Sequence, residues 1–207
     1  MVLHKGWYSR NYLPHLDAPD LFQAVTFRLH DSLPQDVVRR LESQVQAQQI
    51  TDAKKRYGIE AYLDAGHGAC WLRQPEIAQL VQDALLHFDG QRYCLLAWCI
   101  MPNHVHTLLE TFEGFPLSNI VQSWKSYTAE QANKLLARQG RFWQRDYFDR
   151  YVRDVEHYER LISYIENNPV KANLVERVED WRFGSAYTRS LGRQDAGAPS
   201  RSDMHKT

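Results

Sequence analysis

Two histidines separated by one residue, His104 and His106, lie in a run (HVHTLLE) that alternates as a β-strand does. Both imidazoles therefore project from one face and can share one metal ion. Val105 between them points the other way, towards a core, and that fixes the orientation of the pair. Further along, Tyr164 and Asn168 stand four apart on a predicted helix and share a face about one turn apart. The Asn168 amide oxygen can supply a third ligand. If the helix crosses the histidine face, Tyr164 reaches the metal's outer rim and the set leaves positions open for a phosphate oxygen. Two imidazoles and one amide oxygen admit Zn²⁺ as well as Mg²⁺ or Mn²⁺. Each residue also has a plainer use: the histidines as ordinary hydrogen-bonded side chains, Tyr164 as a core aromatic, and Asn168 as a helix C-cap before Pro169.

These groups need a scaffold, and the hydrophobic pattern supplies one. Residues 21–29 alternate as a strand, with Val25, Phe27 and Leu29 on one face and Thr26 and Arg28 on the other. Helices are predicted over 34–48, behind Ser32 as N-cap, and over 75–88, where Pro75 occupies the first turn and Ile77, Leu80, Val81, Ala84, Leu85 and Phe88 form a stripe. The nearly continuous apolar run 91–101 reads as a central strand covered on both faces. Pro102-Asn103 breaks it, so the next run, His104 to Glu110, makes an antiparallel hairpin with it. A long helix is predicted over 117–139 with Gly140 as its stop, and 141–153 is left extended or irregular. The helix carrying Tyr164 is predicted over 155–167 and should end near Asn168, because proline disfavours helical geometry in the residue before it.

The 207 residues suit one domain, predicted over 1–189, followed by a Gly-, Ser-, Pro- and charge-rich stretch, 190–207, predicted to be a disordered tail. Formal net charge is zero, so any nucleic-acid footprint must be local. Between Val121 and Arg153, seven cations face three anions. Lys125, Arg141, Arg145, Arg150 and Arg153 are the candidate phosphate contacts, and the interleaved Phe142, Trp143, Tyr147 and Phe148 are candidates to stack on unpaired bases or to fill the core. Three cysteines without CxxC spacing argue against a disulfide framework and a zinc ribbon, and favour a reducing compartment. The expectation is a cytoplasmic protein with no membrane span.

Taken in order, AWCIMPNHVHTLLE, WKSYT, RFWQRDYFDRYVRD, SYIENNPVKANLV and DWRFGSA resemble the REP-associated tyrosine transposases, bacterial relatives of the single-tyrosine HUH transposases. MPNHVH and YIENNPVKA are the most specific elements, and the resemblance spans roughly residues 6 to 187. It implies a ferredoxin-like α+β sandwich with a central antiparallel sheet. His104 and His106 then match the HUH metal pair, Asn168 the third metal position and Tyr164 the nucleophile. It further implies Mg²⁺ or Mn²⁺ as cofactor, hairpin-bearing (REP-like) single-stranded DNA as partner, a 5′-phosphotyrosine intermediate, a bacterial nucleoid-associated setting, and a monomer or homodimer. The chain departs from the family at Gly6-Trp7-Tyr8, where the family pattern is Gly-Thr-Trp-Tyr, in the segment that reads DNA beside the hairpin. Two other readings compete: a hairpin-binding protein on the same fold that does not cut, and an unrelated zinc hydrolase. The second lacks an HExxH helix and a general-base carboxylate next to the pair in sequence.

Overall fold

A computed structural model describes residue 4, residues 6–9 and residues 14–195. The chain opens with a short hairpin, β1 (Gly6–Ser9) and β2 (Pro14–Asp17). Then come β3 (Phe22–Arg28), α1 (Gln35–Gln46), α2 (Asp52–Asp64), α3 (Pro75–Leu86), β4 (Tyr93–Ile100), β5 (His104–Thr111), α4 (Leu117–Leu135), β6 (Phe148–Tyr151), α5 (Val155–Lys171) and α6 (Ser185–Asp195). The main sheet is antiparallel throughout, in the order β4-β5-β3-β6. Counting its four strands in chain order, the arrangement is 2-3-1-4, the ferredoxin-like order.

Strand alternation divides the interior in two. Val25, Phe27, Val105 and Leu109 face α3 and α4, in a core with Ile77, Val81, Ile120 and Trp124. Ala97, Cys99 and Leu108 face the opposite way, against Ile165 of α5. His104 and His106 share that second face, because they alternate with Val105, so α5 crosses the histidine side of the sheet. A third, smaller cluster joins α1 to α2 through Leu33, Val37 and Leu63. The α2 helix starts at Thr51, whose hydroxyl accepts a bond from the Lys54 amide at 3.2 Å, as N-cap residues do.

Several expectations are corrected. The apolar strand β4 is an edge strand of the sheet. Its two faces are covered as predicted, and its open edge is closed where the chain enters α6, through Ile100 N–H to Phe183 O at 2.9 Å and Trp98 N–H to the Ser185 hydroxyl at 3.2 Å. The α4 helix stops at Leu135 rather than at the predicted 139, and Ala137 adopts the left-handed conformation in place of Gly140. The α5 helix runs through Pro169 to Lys171. Packing overrides proline's local preference there, since Ile165, Asn168 and Pro169 are all buried, and the chain turns off only afterwards, with Asn173 left-handed. Residues 190–195, expected in the tail, continue α6, and the rest of that stretch lies outside the described residues. Phe142, Trp143 and Tyr147 belong to the core, with the Trp143 indole donating to Thr128 at 2.9 Å, so stacking on bases is withdrawn for these three. Among the described residues no helix is long and apolar enough to cross a membrane.

Candidate active site

The two imidazoles are buried and meet edge to face, with Nε2 of His104 3.0 Å from Nε2 of His106. Their outer nitrogens are held from behind. His104 Nδ1 lies 2.7 Å from Asn103 Oδ1, and Asn103 Nδ2 donates to His67 O at 2.9 Å, which orients the amide and makes its oxygen the acceptor. His104 Nδ1 must therefore carry the proton, so its Nε2 presents a lone pair. His106 Nδ1 lies 2.8 Å from the hydroxyl of Thr26, its register partner across β3 and β5. Burial lowers both pKa values, with help from the Lys171 charge and, for His104, from His106; His106 falls to about 3. Both rings are thus neutral near pH 7, the form that ligates a metal.

Helix α5 places Tyr164 against this pair, with its ring centroid 5.5 Å from that of His106. The Tyr164 hydroxyl is buried and makes no hydrogen bond of ordinary geometry. Burial raises its pKa above the usual phenol value, and the nearby carboxylates of Glu60 and Asp64 raise it further, only partly opposed by Asn168. Asn168 is fully buried; its Nδ2 donates to Tyr164 O at 2.8 Å, while its Oδ1 has no partner. The unpartnered oxygen of Asn168, on the helix that packs against the two imidazoles, adds an amide acceptor to their ring nitrogens, and donors of these types fit a divalent metal. Glu60 and Thr26 join His106 and Tyr164 in lining a cleft of about 260 Å³.

The family model described as "Transposase IS200 like" matches residues 74–168, a little under half the chain and a span that holds all four of these predicted residues. Over 116 residues the chain is 25% identical to the REP-associated tyrosine transposase of Escherichia coli (strain K12), covering 56% of this chain and 67% of that one. A Haemophilus influenzae relative described as a "Putative REP-associated tyrosine transposase" is 30% identical over 102 residues, which cover 44% of this chain and 58% of that protein's length. The solved structure of a REP-associated tyrosine transposase bound to a REP hairpin superposes with a TM-score of 0.54 at 19% identity, covering 90% of this chain and 86% of that one, so the two share a fold. In sequence and in fold the chain is therefore similar to the REP-associated tyrosine transposases. The span matched by the family model ends at Asn168 and leaves α2 outside it, and is narrower than the resemblance read over roughly residues 6 to 187.

The predicted phosphate contacts fall in three places. Lys125, Arg141 and Arg145 line a groove of about 510 Å³ between α4 and the segment that follows it, with the Lys125 ammonium donating to Arg145 O at 2.8 Å. Arg150 lines the Tyr164 cleft, and Arg153 is exposed just before α5. The rival tyrosines are spent elsewhere: Tyr147 pairs with the Tyr8 hydroxyl at 3.2 Å, Tyr158 packs on Phe22, and Tyr151 meets Trp7. Sequence reasoning missed Thr26, Glu60, Asn103, Asp64 and Lys171 as members of the site. Thr26 and Asn103 had a usable signal, the strand register and the residue next to the His pair; α2, which carries Glu60 and Asp64, gave none.

Proposed function

We propose that this chain is a metal-dependent single-stranded DNA endonuclease and strand transferase, acting at or near DNA hairpins through a 5′-phosphotyrosine on Tyr164. The observation that carries this reading is the placement of the Tyr164 ring 5.5 Å from the His106 ring, within one chain, on the face where two buried Nε2 atoms converge. His104, His106 and Asn168 would hold the ion, for which Mg²⁺ or Mn²⁺ is expected. When bound, the ion polarises a non-bridging oxygen of the scissile phosphate.

The chain's own groups do the rest. Tyr164 stays protonated until it reacts, because burial and neighbouring carboxylates hold its proton on. As its oxygen bonds to phosphorus, the bond to the 3′ oxygen breaks, the Glu60 carboxylate takes the phenolic proton, and solvent protonates the departing 3′ oxygen. The phosphodiester's energy is kept in the phosphotyrosine, so a later 3′ hydroxyl can attack it, return the proton to Tyr164 and reseal the strand without ATP. The groove lined by Lys125, Arg141 and Arg145 suits the backbone of the single strand, and Arg150 its entry to the cleft. Such an enzyme works where bacterial DNA is, in the cytoplasm at the nucleoid.

The test is incubation of the full chain with labelled single-stranded hairpins from around its own gene. The expected result is a protein-linked band that needs divalent metal and maps by mass spectrometry to Tyr164. A band on Tyr147, Tyr151 or Tyr158, or hairpin binding without any adduct, overturns the assignment; the latter outcome is that of a binding protein on the same fold.

A further inference from the structure

We propose that Asp64 is a fourth donor to the ion held by His104, His106 and Asn168, exchanging its present partner Lys171 for the metal. The proposal rests on the metal reading above. Asp64 closes α2, outside the matched span of the transposase family. Its Oδ1 is buried without a hydrogen-bond partner and lies 3.9 Å from His104 Nε2, the atom that also faces His106. Two donors each about 2.0–2.2 Å from one ion can stand up to about 4.2 Å apart, so this spacing is within reach of a shared cation. Among the described residues no trio of His, Cys, Asp and Glu is already drawn together as a metal cluster. Asp64 Oδ2 is instead held by the Lys171 ammonium at 2.9 Å, the cation that the metal would replace as the partner of this carboxylate.

The position of Asp64 is built, not incidental. An acid in the last turn of a helix opposes the helix dipole, so α2 gains nothing locally from it. Yet the chain after it is tied to the histidine strand. Tyr62 stacks on His67 with centroids 4.0 Å apart, and the His67 carbonyl accepts from Asn103 Nδ2 at 2.9 Å. The one residue that orients His104 thus also holds the turn that presents Asp64. Gly68 follows with φ +86°, where a Cβ would sit 2.8 Å from the Asp31 carbonyl oxygen, and Ala69 N–H donates to Asp31 Oδ2 at 2.8 Å. A carboxylate joining two imidazoles and an amide hardens the donor set and shifts its preference from Zn²⁺ towards Mn²⁺ and Mg²⁺.

Calorimetric titration of the full chain with Mn²⁺ and with Zn²⁺ tests this without any DNA. Asp64→Asn should weaken Mn²⁺ binding by about tenfold or more, and Zn²⁺ binding less, while Lys171→Gln should leave Mn²⁺ binding as tight or tighter. Unchanged Mn²⁺ affinity in Asp64→Asn overturns the proposal while leaving the metal site standing if His106→Ala abolishes binding. Equal losses in Asp64→Asn and Lys171→Gln also overturn it, since Asp64 would then only anchor the lysine. A folded wild-type chain that binds neither ion sinks the metal reading itself. Should Asp64→Asn fold poorly, Asp64→Cys supplies a positive readout: with Co²⁺ it should give a thiolate charge-transfer band absent from wild type, and no band would overturn the assignment.

Discussion

Replacing Tyr164 with phenylalanine should abolish cleavage and at the same time stabilise the protein. The chemical half is direct: on the proposed mechanism, the substitution removes the oxygen that would bond to phosphorus. At the ordinary phenol pKa near 10, ionising that group at pH 7 already costs roughly 4 kcal/mol, and burial beside Glu60 and Asp64 raises the cost here. No neighbouring group can supply the lost oxygen, because Tyr147 and Tyr158 are packed on other partners. The stability half follows from the same burial. A hydroxyl shut away from water and short of a well-formed hydrogen bond, its interactions with Glu60 and Asn168 notwithstanding, costs up to about 1–3 kcal/mol, and phenylalanine removes that cost while leaving the ring against His106. At roughly 2–4 °C per kcal/mol for a chain of this size, the melting temperature should rise by several degrees.

Two assays on one preparation read the two halves: a metal-dependent adduct gel with a labelled hairpin, and thermal melting of the DNA-free protein. Hairpin binding, measured by gel shift, should be nearly unchanged. Residual adduct in Tyr164→Phe places the nucleophile elsewhere and removes the reaction centre. A lowered melting temperature shows that the hydroxyl is well bonded in solution, to Glu60, and refutes the claim that the site stores an unsatisfied group for the reaction. The combination predicted, a loss of chemistry with a gain in stability, is what a preorganised nucleophile costs its fold.

Other perturbations have equally definite outcomes. Thr26→Val removes the hydroxyl behind His106 Nδ1 and should weaken divalent-metal binding by about ten- to a hundredfold, with Thr26→Ser retaining it; wild-type affinity in the valine variant would show that the β3 hydroxyl does not set the His106 tautomer. Stability without metal should peak near pH 6.5. Below that, the unfolded chain binds protons that buried His106 refuses down to about 3, so stability falls as pH drops through this window. Above it, His15, for which burial is outweighed by Asp146 and Asp149 so that its pKa rises to about 9, loses its proton and the contribution it made below pH 6.5; a melting profile flat from pH 4 to 9 contradicts both assignments. Arg141→Gln and Arg145→Gln should each lower the salt slope of hairpin binding by about one and weaken affinity alike for all sequences, as backbone contacts do; an unchanged slope removes the groove from the DNA path.

What was legible in the chain, and what was not, follows from how far each signal reaches. Period-two alternation across His104–Glu110 reports which side chains share a face, so the His pair and the inward Val105 could be read directly. The three-to-four spacing in α5 likewise put Tyr164 and Asn168 on one stripe. Faces, however, are not edges. An apolar strand must be covered above and below, and β4 is, but nothing in its composition says that its free edge is met by Phe183 and Ser185 instead of another strand. Pro169 misled for a related reason: its local preference is real, and burial on both sides of it outweighs that preference.

The largest omission was α2, and its cause bears on the site. Its apolar residues Ile59, Tyr62 and Leu63 pack into a small cluster with α1, apart from the main core, and Gly58 and its charges blur any stripe. A helix that buries little carries a weak periodic signal. That same shallow attachment leaves its polar residues free to face the histidine strand, where Glu60 and Asp64 set the charge around Tyr164. Asn103 links the two, donating to the turn after α2 and accepting from His104, a coupling between residues 36 positions apart that no local pattern encodes. On the proposed metal site, affinity should therefore respond to substitutions in α2 that touch neither imidazole, since the helix whose sequence is least regular is the one that brings carboxylates to the histidine pair.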